Sequence, residues 1–341
     1  MWPCPGRKKG DIMATIIFRS KIAEQIKSFI ELRKASGRQG NYDATMMRLF
    51  DQFIMEKLKP GQPLTKDLLE RYIQDIAHLN PGTRMNRLSV IRQFCIHLRY
   101  FDDRTYILPC KLLPHRPRYL PYIFTPEEIT AIMAAAKRIG PAKSIRPIAI
   151  YTFVGLLAST GLRISEALKL TLADVDIRSG LLIVNKTKFQ KSRNVPLSKS
   201  TTYQLAAYLK KRKKAGFSML DDSPLFVNLQ GNRYSLTAIR TIIKSIMGKL
   251  AIFGQKGEKT PRIHDFRHTF AVSRLLDWYR HGDNLMAKLP LLSTYLGHST
   301  VTCTEVYLHS TSELMEQVHE RFHDKCAIPN LKKENDDENG N

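Results

Sequence analysis

Four prolines, Pro109, Pro114, Pro117 and Pro121, fall within ILPCKLLPHRPRYLPYIF, residues 107–124. Each fixes its own φ and lacks an amide hydrogen, so neither a helix nor an interior strand can run through the stretch. Residues 111–124 therefore read as an extended basic linker carrying Lys111, Arg116 and Arg118. A chain of 341 residues is long enough for two domains, and this is where they part.

Upstream, residues 1–19 read as a poorly ordered leader and residues 20–110 as a helical domain. Apolar residues recur at helical spacing in IAEQIKSFIELRKA, DATMMRLFDQFIMEKL, TKDLLERYIQDIAHL and TRMNRLSVIRQFCIHLRYF. Breaks fall at residues 37–41, at Pro60-Gly61-Gln62-Pro63 and at the turn Asn80-Pro81-Gly82, with Thr65 as an N-cap. Arg84, Arg87 and Arg92 decorate the last helix, and no strand pattern is present.

Downstream, residues 125–325 form a second, mainly α domain. Thr125, Pro126 and Glu128 make a capping-box helix start. Pro147 to Lys169 reads as one apolar helix carrying Arg163. GLLIVNKTKFQKSRNVPL reads as strand, basic turn and strand, a small antiparallel β-sheet. Helices follow over SKSTTYQLAAYLKKRKKAG, SLTAIRTIIKSIMGKLAIFG, Ile263 to Tyr279, Pro290 to Gly297 and from Thr302 onward. Residues 326–341 read as a disordered tail.

Lys and Arg number 54 against 31 Asp and Glu, a net charge of +23, which favours a polyanionic partner over an acidic or neutral one. The cysteine count of 5 is odd and no C-x-x-C occurs, which argues against a disulfide framework or zinc ribbon and for a cytoplasmic location. No apolar run reaches the length of a membrane span, so no membrane partner is expected.

The chemistry concentrates near the C-terminal end. A charged Arg163 among apolar residues requires a partner or a function, and Glu166, three residues on, is a candidate salt-bridge partner. His264 and Arg267 are likewise three apart and share a helical face. His264-Asp265-Phe266-Arg267-His268 looks like the H-E-x-x-H zinc signature, but Asp replaces the catalytic Glu and a guanidinium beside a cation repels it. His298 follows Gly297, and Tyr307 comes nine residues later. Arginine forks match phosphodiester oxygens, and a tyrosine hydroxyl can act as a covalent nucleophile.

Arg163 in TGLRISEAL, His264 and Arg267 in HDFRHTFA, His298 in LGHST and Tyr307 in Y-L-H, in this order and spacing, resemble the tyrosine recombinases, or phage-integrase family. The resemblance covers residues 120–325 strongly and 20–110 in general character. It implies a helical core-binding domain and an α-rich catalytic domain with a small sheet, clamped around double-stranded DNA. It implies attack by Tyr307 on a backbone phosphate to give a 3′-phosphotyrosine, with no cofactor, metal, ATP or small-molecule substrate. Arg163 and Arg267 would neutralise the phosphate, His298 would donate to it, and Glu166 would support the site. His264 would take the tyrosine proton or hold the phosphate, and His268 would be structural. Lys188 matches the acid lysine of the family's G-K-G-x-K-x-R turn, with Thr187 and Phe189 in place of the glycines; Lys186 and Lys191 are alternatives in the same turn. Arg84, Arg87, Arg92, Lys111, Arg116 and Arg118 would contact DNA. The family works as a homotetramer on two duplexes. An inactive DNA-binding relative and a type IB topoisomerase-like relaxing enzyme share enough of the pattern to stand as alternatives.

Overall fold

The computed structural model describes residues 16–37, 40–114, 121–141, 143–185, 192–253, 261–298, 300–302, 304 and 307. The chain divides into two compact units at residues 119/120, within the proline-rich stretch. Arg116, Arg118, Lys186, Lys188 and Lys191 and the 326–341 tail lie outside the described residues.

The first unit holds four helices among the described residues: α1 (Ala23–Ala35), α2 (Gly40–Ile54), α3 (Lys66–Asp75) and α4 (Pro81–Arg99). Thr65 caps α3, its hydroxyl accepting from the Leu68 amide. Asn80-Pro81-Gly82 departs from the sequence expectation. It is not a turn between helices but the start of α4: the Asn80 side chain accepts from the Thr83 amide and Pro81 takes the first helical position, where a missing N–H costs nothing. Ile26, Phe29, Met47, Phe50, Leu69 and Phe94 are buried at the centre of the four helices, with Phe29 and Phe94 packed edge to face. The packed chain also begins ahead of residue 20. Phe18 is buried against this core, and the Asp51 carboxylate accepts from the Arg19 and Ser20 amides.

The second unit opens with α5 (Pro126–Ala136), whose start is the expected capping box, Thr125 and Glu128 each bonding the other's amide. The apolar run over 147–169 is two helices rather than one. It is α6 (Arg146–Thr160) and α7 (Ile164–Lys169), parted at Gly161, which turns left-handed at φ 61°. A side chain there would meet Phe270, its Cβ 2.6 Å from Cδ1, so the position needs glycine for both its φ and its space. Next come β1 (Val175–Asp176), β2 (Leu181–Val184) and β3 (Arg193–Pro196), an antiparallel sheet in that order, with Leu182 opposite both Val175 and Val195. The two-residue β1 is too short to leave an alternation in the sequence. The segment PLFVNLQGNRYS forms only isolated bridges, Thr171 to Pro224 and Val227 to Arg233. Then follow α8 (Lys199–Lys214), α9 (Leu236–Lys249), α10 (Asp265–Arg280) and α11 (Leu285–Leu296). The last starts five residues earlier than the Pro290 expected, because Asn284 caps it and Pro290 is accommodated inside.

Two apolar clusters hold this unit. The larger packs α6 through Phe153, Val154 and Leu157 against α5, α8, α9 and the sheet. The smaller joins Val272 and Leu275 of α10 to Leu289, Leu292 and Leu296 of α11 and to Tyr307. Phe266 stacks on Phe124 at 4.5 Å and the Thr269 hydroxyl accepts from the Phe124 amide, so α10 is fixed to the segment entering α5. No helix among the described residues is long and apolar enough to cross a membrane.

Candidate active site

Two helix C-termini meet where α6 and α11 end, and each closes on a left-handed glycine, Gly161 and Gly297. The last carbonyls of a helix lack amide partners and carry the negative end of its dipole, so such ends favour cations. Arginines occupy both. Arg267, first turn of α10 and 2% exposed, donates through Nη1 to the Gly161 carbonyl at 2.9 Å and through Nη2 to the Leu296 carbonyl at 2.7 Å. Arg163, the residue that begins α7, donates through Nη2 to the Gly297 carbonyl at 3.0 Å. The break at Gly161 therefore places Arg163 at a helix start, not inside an apolar helix as its sequence context implied.

Glu166 lies between two guanidinium groups. Arg163 Nη1 donates to Oε1 at 2.7 Å, Arg193 Nη2 donates to Oε2 at 2.8 Å, and the Arg163 amide also donates to Oε2. Burial would raise the Glu166 pKa, but the hydrogen bonds and charges of Arg193 and Arg163 outweigh it and hold the carboxyl below its ordinary value. Arg193 also donates through Nε to the Tyr295 carbonyl at 2.8 Å. A Cβ on Gly297 would lie 2.7 Å from Arg193 Nη1, so that glycine admits the guanidinium as well as the positive φ.

Three histidines complete the cluster. His268 Nδ1 is 2.8 Å from the Tyr307 hydroxyl, and His298 Nδ1 is 2.7 Å from the Thr304 hydroxyl. Thr304 and Tyr307 are buried, and the His298 and Tyr307 rings lie near-parallel at 6.4 Å. The His264 and His268 rings meet edge to face at 5.0 Å. Desolvation, with the charges of Arg267, Arg262 and Arg163, pushes His264 down to about 4. His264 keeps part of its surface in solvent and is neutral at pH 7. Burial and neighbouring charge push His298 to about 4 and His268 to about 3. Arg267 is lowered to about 10 by burial and by Arg163, and remains a cation at pH 7.

The structure thus brings together Arg163, Glu166, His264, Arg267, His298 and Tyr307. Lys188 falls in residues 186–191, between β2 and β3 and outside the described residues, and β3 brings Arg193 into the site. Arg193 had gone unassigned in the sequence although it is the last residue of the turn motif that singled out Lys188. His268 had been read as structural, and it touches the tyrosine hydroxyl. In the first unit, Arg92 spends its Nε on the Leu108 carbonyl, tying α4 to the chain leaving the unit. Arg84 and Arg87 are half-buried with their Nε atoms unpartnered, and Lys111 lies exposed in a 3-10 turn. No group of three or more His, Cys, Asp or Glu among the described residues is arranged to hold a metal ion. Arg163 and Arg193 on Glu166, Arg262 on Asp265 and the buried Arg267, with histidines neutral at pH 7, form a cluster of net positive charge suited to an oxyanion.

Comparison with known proteins identifies the family. The model of the phage integrase family matches residues 123–313. A putative integrase/recombinase, y4rE, of Sinorhizobium fredii is 33% identical over 306 residues, covering 89% of this chain and 96% of that protein. The tyrosine recombinase XerC of Chlamydia trachomatis is 30% identical over 266 residues, covering 76% of this chain and 77% of XerC. Among solved structures, the Tn1549 transposon integrase in complex with transposon right end DNA shares the fold at a TM-score of 0.64 and 18% identity, covering 86% of this chain and 99% of that one. XerH bound to its difH substrate does so at 0.62 and 19%, covering 83% and 80%. The chain belongs to the phage integrase family and is a tyrosine recombinase.

Proposed function

We propose that this protein cuts and rejoins double-stranded DNA at defined sites through a 3′-phosphotyrosine at Tyr307. The observation that carries the reading is the Tyr307 hydroxyl, buried beside three neutral histidines next to two arginines anchored on helix C-termini. In this reading the scissile phosphate lies between Arg163 and Arg267. Both already donate to backbone carbonyls, and a phosphate oxygen offers each guanidinium a charged acceptor in exchange. Charge growing on the non-bridging oxygens meets cations fixed in advance, which costs no reorganisation during reaction. His298, with Nδ1 engaged by Thr304, donates to the phosphate through Nε2, and His264 holds the same phosphate. Glu166 keeps Arg163 in place. Lys188 protonates the departing 5′ oxygen.

Bond energy is retained in the phosphotyrosine, so a second 5′-hydroxyl reverses the step without ATP, and no part of this scheme calls on a metal. Four copies on two duplexes would exchange strands. The first unit would add phosphate contacts through Arg84, Arg87, Lys111, Arg116 and Arg118, with Arg92 positioned by Leu108, and the protein would act in the cytoplasm.

The test is covalent trapping. A duplex nicked near the cleavage site lets the 5′-hydroxyl fragment diffuse away, so a nucleophilic tyrosine accumulates as a protein–DNA adduct, in the presence of excess EDTA as well as without it. Tyr307→Phe is expected to bind the same duplex and form none. An adduct with Tyr307→Phe would show that another residue attacks.

A further inference from the structure

One group in contact with the Tyr307 hydroxyl is left idle by the scheme above. His268 Nδ1 lies 2.8 Å from Oη, with ring centroids 5.6 Å apart at 59°. His268 sits in the first turn of α10, next to Arg267, whose guanidinium is locked between two helix ends. The anchoring that fixes Arg267 fixes its neighbour. Tyr307 is 5% exposed, so the pair is a packed contact and not a meeting of two surface side chains.

We propose that His268 is a further catalytic residue, whose Nδ1 accepts the Tyr307 hydroxyl hydrogen, aims the oxygen at phosphorus and takes the proton as attack proceeds. The inference rests on Tyr307 being the nucleophile. In the step, the Oη–H bond breaks and its proton passes to Nδ1 while Oη bonds to phosphorus. The bond from phosphorus to the 5′ oxygen breaks, and that oxygen takes a proton from Lys188. On rejoining, the 5′-hydroxyl attacks phosphorus and gives its proton back to Lys188, the bond from phosphorus to Oη breaks, and His268 returns its proton to the tyrosine oxygen. His264, on the solvent side of the same pair of rings, is thereby released to serve the phosphate alone.

Accepting a hydrogen bond requires a neutral imidazole, and the surroundings keep it neutral. Burial and then His264, Arg267, Arg262 and His298 disfavour the cation. These groups, with Tyr307, face it from the start of α10, the end of α11 and the segment beyond. A phosphodiester entering among the arginines offsets their charge and so raises the imidazole's affinity for a proton. The base gains strength when substrate is in place.

Full-length protein with a nicked suicide duplex gives the test, reading the single-turnover rate of adduct formation from pH 6 to 9. His268→Ala is expected to react about 10²–10⁴-fold more slowly near neutrality, with DNA affinity unchanged. Its rate should climb with pH as hydroxide replaces the lost base, while the wild-type rate stays nearly flat. His268→Asn can accept a hydrogen bond but not hold a proton, so it should fall between the two and keep the rising profile. An Ala variant within about threefold of wild type overturns the proposal. So does a slowed Ala or Asn variant whose profile runs parallel to wild type, or loss of DNA binding in both, which would make His268 a packing residue. Tyr307→Phe run alongside separates the two readings: an adduct there removes the nucleophile assignment and this proposal with it.

Discussion

Gly297 ends α11 at φ 70°, and a methyl group on it would press on Arg193 at 2.7 Å. Alanine in a left-handed conformation costs about 1–2 kcal/mol, and displacing Arg193 also loosens Glu166 and Arg163. Gly297→Ala should therefore lower the unfolding free energy read from denaturant titration by an amount of that order and reduce adduct formation by more than its stability loss explains. The histidines predict a pH effect of definite sign. His264, His268 and His298 have folded pKa values of about 4, 3 and 4, below the ordinary value near 6.5. Between these limits the unfolded chain binds more protons than the folded one, so stability falls as pH drops from about 6.5 toward 4. A melting series without DNA should show that fall, less steeply in His298→Asn, where one such group is gone. A melting temperature level from pH 7 to 4.5 would contradict the lowered proton affinity of these rings in the folded chain. At this scale the sequence was legible where spacing is local or motif-bound: Arg163, His264, Arg267, His298 and Tyr307. It was silent on Arg193, because Glu166 is 27 residues from it and Tyr295 is 102. No periodicity encodes such a contact.

Elements were read well where a cap or an amphipathic stripe announces them, as at Thr65, Thr125 and the strands on either side of residues 186–191. They were misread where a glycine interrupts an apolar run. Both sides of Gly161 are buried, so the pattern over 147–169 continues across a chain that turns. The hairpin of β2 and β3 carries a division of labour that kinetics can resolve. Lys188, in the turn between them, is proposed to protonate the leaving oxygen, whereas Arg193 at the base of β3 holds Glu166 and the end of α11. Sulfur in place of the 5′ bridging oxygen leaves without protonation. Lys188→Ala should be slow on ordinary DNA, by about 10²–10⁴-fold, and near wild type on the 5′-phosphorothiolate. Arg193→Ala should be slow on both, because the damage reaches the non-bridging oxygens through Arg163. Rescue of Lys186→Ala or Lys191→Ala instead would move the acid to that lysine.

Over the whole molecule, charge and domain structure make one argument. The chain carries +23, and each unit closes its own apolar core, Phe29, Phe50 and Phe94 in one and Phe153, Val154 and Leu157 in the other. Among the described residues each core is built from its own unit's side chains, so a fragment lacking residues 1–115 should fold, with the thermal transition of an intact domain. What it should lose is affinity. Each phosphate neutralised by Lys or Arg releases condensed counterions, and the logarithm of the binding constant falls with that of salt at a slope of about −0.9 per contact. If the first unit and the proline-rich segment place Arg84, Arg87, Lys111, Arg116 and Arg118 on phosphates, removing them reduces the slope by several units. The affinity loss is then several powers of ten at low salt and shrinks as salt rises. A fragment that folds, binds as tightly as the full chain and shows the same slope would assign all phosphate contacts to the second unit. A fragment with weaker binding but an unchanged slope would mean that the first unit contributes apolar contacts or shape, and that its arginines serve the fold, as Arg92 already does through the Leu108 carbonyl.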